Sequence, residues 1–90
     1  MMYRVKFTAR ARKEIQKLDK KTSLLLLGWI RKHLEGCENP RFYGKLLQGN
    51  LKNAWRYRVG GYRILAEIKD QEILILVLSV GHRKDIYEKM

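Results

Sequence analysis

Three arginines recur around a predicted tight turn, and together they could bind a phosphate group. Arg56 and Arg58 alternate with apolar residues before the pair Gly60-Gly61, and Arg63 follows that pair. A two-residue turn at the glycines places Arg58 opposite Arg63 on an exposed face of a β-hairpin, with Arg56 on the same face. Because like charges in direct opposition destabilise a sheet, the arrangement predicts an anion between the guanidinium groups. The alternative is a solvated face on which arginine stems cover apolar neighbours.

The overall charge favours a polyanionic partner. The 90 residues contain 20 Lys and Arg against 9 Asp and Glu, which gives a net charge of +11. Nucleic acid is the first candidate partner for such a chain, and a membrane surface or an acidic protein is the alternative. No acidic residue occurs from Asn39 to Ala66, where the cations are Arg41, Lys45, Lys52, Arg56, Arg58 and Arg63.

The segment after the last predicted strand adds a group that could carry a proton. His82 is followed by Arg83, Lys84 and Tyr87, which supply two cations and a phenol. A histidine titrates near neutrality and is suited to general base catalysis. The predicted strand order brings this segment beside Arg63, although an exposed histidine near a chain end is more often structural.

The acidic residues do not form a metal site in the sequence. Magnesium ions in nucleases are held by clustered carboxylates, and no zinc-type spacing of His and Cys occurs. A nuclease built from these residues is therefore expected to use no metal and no cofactor, with the 2′-hydroxyl of RNA as nucleophile and arginines stabilising the phosphate charge. The acidic residues in question are scattered over predicted strand ends and turns, at Glu67, Asp70, Glu72 and Asp85.

The first half of the chain predicts a strand and two helices that would support these residues. Apolar and basic residues alternate over residues 3–7, as in a half-buried strand. Thr8 is expected to cap a first helix, and Asp19 a second helix that runs to Gly36. The inward-facing stripe of the second helix is expected to include Leu27, Ile30 and Leu34.

The second half predicts an antiparallel meander. Two strands flank Gly60-Gly61, where both glycines are expected at positive φ, and a turn at Asp70-Gln71 leads into an apolar strand from Ile73 to Val80. The sum is a single α+β domain over residues 1–90, in which strand, helix and helix precede the meander and the helical hairpin packs on one sheet face. Three aromatic residues are expected in the core rather than as stacking platforms for bases: Trp55, Tyr57 and Tyr62.

Cysteine usage and hydropathy predict a cytoplasmic protein without membrane contact. The only cysteine is Cys37, whereas small secreted domains more often carry paired cysteines. No signal peptide is visible at the N-terminus. The longest apolar run, residues 24–30 with Gly28 included, has 7 residues, and a membrane-spanning helix requires about twenty.

Four consecutive leucines, Leu24 to Leu27, lie on the second predicted helix. At 100° per residue they sweep about 300°, so at least one of them must face outward. Together with Trp29 they predict an exposed apolar strip, which a protein partner or a second copy of the chain would cover.

Over essentially its whole length, the chain resembles the RelE toxins of the RelE/ParE superfamily. The resemblance implies a microbial-ribonuclease-like fold and the toxin of a type II toxin–antitoxin system, which enters the ribosomal A site and cuts mRNA to leave a cyclic phosphate. The motifs that carry it are Lys45-Leu46-Leu47-Gln48-Gly49, Trp55-Arg56-Tyr57-Arg58-Val59, Gly61-Tyr62-Arg63-Ile64, and Ser79-Val80-Gly81-His82-Arg83 followed by Tyr87.

The resemblance also implies a role for each matching residue. Arg56 and Arg58 would act on the 2′-hydroxyl and the RNA backbone, and Arg63 on the scissile phosphate. Arg83 would act on the leaving oxygen, and Tyr87 would orient the substrate base. Further RNA contacts are expected from Arg41, Lys45, Lys52 and Lys84.

The general base is left open by the resemblance. The best-studied members have lysines where this chain has Arg56 and Arg58, and an arginine with a pKa above about 12 cannot act as a base. The segment from Gly81 to Tyr87 is also two residues shorter than in those members. The candidates for the base are His82, Lys52 and Tyr87.

The resemblance implies a cognate, RelB-like antitoxin. Its amphipathic helix would cross the helical hairpin and contact Leu25, Leu26 and Trp29, while an acidic portion neutralises the basic sheet face. Homo-oligomers are expected only through the antitoxin.

Two other functions remain open at this point. One is a ParE-like toxin that cuts nothing and inhibits DNA gyrase, and the other is a basic module that binds RNA or the ribosome. The basic pair Arg56 and Arg58, taken with Arg83 and Tyr87, favours the ribonuclease.

Overall fold

The computed structural model describes residues 2–47 and 54–82. Within these residues the predicted α+β architecture is confirmed, with helices on one side of a mixed sheet. The elements are β1 (Arg4–Phe7), α1 (Ala9–Lys17), α2 (Lys20–His33), β2 (Gly44–Leu46), β3 (Ala54–Val59), β4 (Tyr62–Lys69), a 3-10 turn (Asp70–Glu72) and β5 (Leu74–His82).

The sheet has the strand order β1-β5-β4-β3-β2. Strands β2 to β5 pair in antiparallel fashion, as the predicted meander requires. The opening strand β1 pairs parallel to β5 at the far edge, with Val5 opposite Ile75. A parallel pair cannot be joined by a short turn. Here the long connection includes both helices.

Both predicted helix caps are present. The Thr8 hydroxyl accepts a hydrogen bond from the Ala11 amide at 3.1 Å. The Asp19 carboxylate accepts from the amide of Thr22 at 3.1 Å and from its hydroxyl at 2.6 Å, and these bonds lower the pKa of Asp19. Each cap satisfies amides that have no partner inside the helix.

Helix α2 ends at His33, three residues before Gly36. Gly36 has φ +79°, a conformation that glycine adopts without the steric cost of a side chain. Its amide donates to the carbonyl of Tyr3 at 2.8 Å. The chain therefore leaves α2 along the start of β1.

The core lies between the two helices and one face of the sheet, which we call the helix side. On α2 the buried stripe consists of Leu26, Ile30 and Leu34, spaced by four residues. The prediction that Leu27 belongs to this stripe is wrong, because Leu27 is 37% exposed. One residue along a helix is a rotation of about 100°. From the sheet and α1 the core receives Ala11, Ile15, Tyr57, Val59, Ile64, Ala66, Ile75, Val77 and Val80.

The β3–β4 hairpin has the predicted register, with Arg58 opposite Arg63. Of the two turn glycines, Gly60 has φ +61°, whereas Gly61 is not at positive φ. The prediction of positive φ at both positions is therefore wrong. Some hairpin turns require such a conformation only at the first central residue.

A β-bulge interrupts the pairing of β4 with β5. Leu65 lies opposite Ser79, but the next residue, Ala66, lies opposite Val77, so Leu78 is an extra residue on β5. A bulge of this kind changes which side chains of the strand face a given side of the sheet.

Helix α1 satisfies the polar groups of this bulge. The Thr8 hydroxyl donates to the carbonyl of Leu78 at 3.1 Å. The Glu14 carboxylate accepts from the Ser79 hydroxyl at 2.8 Å and from the Val80 amide at 3.0 Å. The irregular part of β5 is therefore fixed from α1, far away in sequence.

Neither helix of the described chain has the length and apolar character needed to cross a membrane.

Candidate nucleic-acid interface

The sheet face opposite the helices carries a group of cations, and we call it the open face. Tyr57 and Val59 of β3 belong to the core, so the alternate residues Arg56 and Arg58 project from the other side. Arg58 is exposed and Arg56 is half-buried. Lys45 of β2 is exposed and is the register partner of Arg56. Among residues 2–47 and 54–82, Lys45 and Arg58 have no carboxylate within salt-bridge distance.

Arg63 differs from its prediction in exposure. It is the register partner of Arg58, but only 3% of it is exposed. Its Nη1 donates to the carbonyl oxygens of Tyr62 at 3.0 Å and of Gly60 at 3.3 Å. The guanidinium is thus bonded to the hairpin turn, and the expectation of an exposed Arg63 is wrong. Its Nε has no hydrogen-bond partner in the described part of the chain.

Part of the open face is covered. Leu65, the register partner of Arg56, is 3% exposed and lies outside the core cluster. Leu65 is therefore shielded from solvent, and the alternative expectation that arginine stems cover it stays a prediction. Within the described part of the chain, the exposed cations of this face are Lys45 and Arg58.

The end of β5 lies beside Arg63 as predicted, but the His82 side chain does not. The residue opposite Arg63 is Gly81, and His82 is opposite Tyr62. The His82 and Tyr62 rings are in edge contact, with centroids 5.7 Å apart and planes at 83°. Since Tyr62 packs against the core, His82 lies on the helix side, across the sheet from Arg58. The bulge at Leu78 is the physical reason, because it reverses the alternation of β5.

On the helix side, His82 and Tyr62 line a cavity of about 700 Å³. Helix α1 contributes three cations to its wall, and Glu14 is the acidic residue there. The three cations are Arg10, Lys13 and Lys17.

Arg41 is held by an ion pair. Its Nη1 and Nη2 bind the two carboxylate oxygens of Asp70 at 3.0 and 2.7 Å, and its guanidinium lies 5.8 Å from the ring centroid of Trp55. The Tyr3 hydroxyl donates to the same carboxylate at 2.6 Å. The Arg41 and Tyr3 hydrogen bonds lower the pKa of Asp70 to about 2. The charge of Arg41 is therefore largely neutralised, unlike that of Lys45.

A smaller cavity of about 190 Å³ opens between the cations of the open face and two aromatic side chains. Phe42 is 73% exposed and Tyr43 is 45% exposed. Both precede β2 inside the segment without acidic residues. Two aromatic residues in so basic a segment are a signal of nucleic-acid contact in the sequence itself. The walls are formed by Phe42, Tyr43, Gly44, Lys45, Arg56 and Arg58.

The aromatic residues predicted to be core are packed inward. Tyr57 is fully buried, and Trp55 and Tyr62 are half-buried against the core. The Tyr57 hydroxyl donates to the carbonyl of Pro40 at 2.5 Å, and burial raises the pKa of Tyr57.

The leucine strip of α2 is exposed at three of its four positions. Leu24 is 60% and Leu25 57% exposed, but Leu26 is fully buried. The prediction that Leu26 contacts a partner is therefore wrong, because it belongs to the core stripe. Trp29 is half-buried and stacks on His33, with centroids 4.7 Å apart.

Several predicted site residues lie outside the described residues, and so does the end of the first motif, residues 48–49. Within the described chain, no group of three or more His, Cys, Asp and Glu side chains is placed to hold a metal ion. The predicted site residues outside it are Lys52, Arg83, Lys84 and Tyr87.

Comparison with known proteins finds a matching family and similar individual proteins. Residues 5–87 match the family described as the ParE toxin of type II toxin–antitoxin systems. Toxin RelG of Mycobacterium tuberculosis is 33% identical over 99% of this chain and 100% of its own length. The mRNA interferase toxin RelE of Escherichia coli is 30% identical over 93% of this chain and 86% of its own length.

The fold has a solved counterpart. A chain in the crystal structure of a RelBE toxin–antitoxin complex from Mycobacterium tuberculosis superposes with a TM-score of 0.80 at 28% identity. The match covers 92% of this chain and 93% of that chain.

Proposed function

This chain belongs to the ParE toxin family of type II toxin–antitoxin systems, within the RelE/ParE superfamily, and we propose that it is a ribosome-dependent endoribonuclease that cuts mRNA in the A site and so stops translation. The observation that carries the proposal is the cationic open face. A relative named an mRNA interferase, 30% identical to this chain, supports the same activity.

The proposed chemistry follows from these cations and from the nature of RNA. A base removes the proton of the 2′-hydroxyl, the 2′-oxygen attacks the adjacent phosphorus, and the bond to the 5′-oxygen breaks. The 5′-oxygen takes up a proton, and the other fragment ends in a 2′,3′-cyclic phosphate. Negative charge increases on the phosphate oxygens during this step. We propose that the exposed Arg58 stabilises it by direct contact and the buried Arg63 by its charge. Arg56 is proposed to hold the backbone.

The general base that removes the 2′-hydroxyl proton is proposed to be His82, Lys52 or Tyr87. His82 lies on the helix side, so its side chain is across the sheet from Arg58. We therefore place it behind Lys52 and Tyr87 in the order of candidates. Orientation of the substrate by the ribosome would compensate for a weak base.

The test is the single-turnover rate of mRNA cleavage on programmed ribosomes. Arg58→Ala should lower the rate by about two to three powers of ten, because it removes one donor to the charged phosphate. The matched control is Arg31→Ala on α2, which removes the same charge from an exposed position of the helical hairpin. Equal rates for the two variants would contradict the proposed phosphate site.

Inhibition of DNA gyrase without cleavage is the second candidate, and the match to the ParE family favours it. A supercoiling assay with purified gyrase distinguishes the two. We expect no inhibition by the toxin at concentrations that stop translation. Inhibition of gyrase together with intact mRNA would replace the ribonuclease proposal. Binding to ribosomes with neither effect would leave a basic ribosome-binding module.

We further propose a RelB-like antitoxin as the partner and the cytoplasm as the compartment, where translating ribosomes are found. The solved counterpart is a toxin–antitoxin complex. The exposed leucines of α2 offer an apolar surface on the side of the molecule opposite the cations.

A further inference from the structure

Phe42 and Tyr43 place exposed aromatic surface beside Lys45 and Arg58, in the wall of one cavity. We propose that these two residues form a stacking site for a nucleobase of single-stranded RNA, whose adjacent phosphates bind Lys45 and Arg58. The inference rests on the proposed function in that it takes RNA as the ligand of the open face. It adds a second type of contact, to bases, which the cations do not supply.

The two rings are held in place by packing on α2. Tyr43 is in edge contact with His33, with centroids 4.9 Å apart, and with Trp29 at 6.2 Å. Phe42 is in edge contact with Tyr43 in turn, with centroids 5.0 Å apart and planes at 81°. Phe42 therefore presents a supported ring while most of its surface remains in water.

The backbone on both sides of the rings is also fixed. Before them, the Pro40 carbonyl accepts the Tyr57 hydroxyl, and Arg41 is bound to Asp70. After them, Gly44 lies so close to Trp55 that a Cβ at Gly44 would be 2.5 Å from Cδ1 of the indole. The position of the rings relative to the strand carrying Lys45 is thus determined by the fold. A site that is ordered before binding loses less entropy when the ligand binds.

The charge of the surroundings indicates nucleic acid rather than a protein as the occupant. Among the residues that the structure describes, the cavity wall contains three cations and no acidic residue. Every base offers a flat π surface, and stacking on aromatic side chains next to a basic groove is how single strands are bound without sequence preference. The apolar strip suited to a protein partner is a different surface, at Leu24 and Leu25.

The experiment compares two uncleavable single-stranded probes by fluorescence anisotropy. One is a short, fully 2′-O-methylated oligonucleotide with all its bases, and the other has the same backbone and length but abasic positions. The wild-type protein should bind the probe with bases about tenfold more tightly, as expected for one stacked base. Phe42→Ala should bring this ratio close to one while leaving the affinity for the abasic probe unchanged.

Three further variants make the result specific. Leu24→Ala removes a similarly exposed apolar side chain from α2 and should keep the tenfold ratio. Phe42→Trp should keep the ratio as well, whereas Phe42→Leu should lose it although the apolar volume remains. Lys45→Ala should weaken binding of both probes equally. It should also reduce the slope of log affinity against log salt concentration by about 1.

The proposal is overturned if wild-type protein shows no preference for the probe with bases, or if Phe42→Ala and Phe42→Leu both retain the preference. It is also overturned if Phe42→Ala weakens antitoxin binding with the ratio unchanged, because the rings would then be a protein contact. Neither probe is cut and no ribosome is present. Failure of the mRNA cleavage assay would therefore be a separate result.

Discussion

Arg58 and Arg63 are paired in register, yet their surroundings differ completely. Arg58 is exposed, whereas the buried Arg63 donates two hydrogen bonds to the carbonyls of the hairpin turn. Because the Arg63 guanidinium is bonded to the turn carbonyls, the repulsion expected between two opposed arginines is reduced. Arg63 therefore has a structural role in the hairpin in addition to the proposed effect of its charge on the phosphate.

The structural role of Arg63 leads to a stability prediction. Arg63→Ala should lower the free energy of unfolding by about 1–3 kcal/mol, because two carbonyls lose a charged donor in a buried setting. Arg58→Ala should change it by less than about 0.5 kcal/mol, as is usual for an exposed side chain. Urea unfolding followed by circular dichroism measures both values. Equal midpoints for the two variants would show that the turn bonds contribute nothing.

At the scale of the elements, the end of β5 is positioned by α1. Glu14 binds the Ser79 hydroxyl and the Val80 amide, and Thr8 binds the Leu78 carbonyl. These contacts fix the bulge and with it the direction in which His82 points.

Glu14→Ala should therefore destabilise the protein by about 1–3 kcal/mol, because it leaves a buried hydroxyl and an amide without an acceptor. Hydrogen exchange of the Val80 amide should become faster in the same variant. Glu14→Gln is the matched control, since its amide oxygen can still accept hydrogen bonds. If Glu14→Ala and Glu14→Gln exchange this amide equally slowly, α1 does not hold the bulge.

Local rules predicted much of this fold, and contacts between distant segments account for what they missed. The caps at Thr8 and Asp19 and the pairing of Arg58 with Arg63 depend on a few neighbouring residues, so the sequence was sufficient for them. The position of His82 depends on a bulge held by Glu14, more than sixty residues away. No periodicity within β5 records such a contact.

The candidate site was predictable to the same extent. The cations of the open face follow from alternation along β3, whereas the burial of Arg63 depends on where its side chain folds. The choice between Leu26 and Leu27 as the core residue of α2 is a rotation of about 100°. It is decided by how the helix rests on the sheet, which the leucine run itself does not specify.

At the scale of the whole molecule, two surfaces face in opposite directions. The cations are on the open face, and the exposed leucines are on α2, which packs on the other side of the sheet. A partner could therefore bind α2 without touching Arg58, and inhibition would then require a second segment that reaches the cations.

This separation predicts that antitoxin binding and cleavage can be altered independently. Leu25→Glu should weaken binding of the proposed RelB-like antitoxin by tenfold or more, because a charge replaces apolar contact area. It should leave mRNA cleavage unchanged. Gln16→Glu, which adds the same charge at an exposed position of α1, is the control. Calorimetry showing unchanged affinity for Leu25→Glu would place the antitoxin elsewhere.

Ribosome-dependent cleavage is tested most directly by mapping the 3′ ends of one mRNA after incubation with the toxin. The mRNA is either free or bound to ribosomes that hold a defined codon in the A site. We expect a cut within the A-site codon, a 2′,3′-cyclic phosphate on the upstream fragment, and no cut in the free mRNA. An intact mRNA on the ribosome, or equal cutting of the free mRNA, would contradict ribosome-dependent cleavage by this protein.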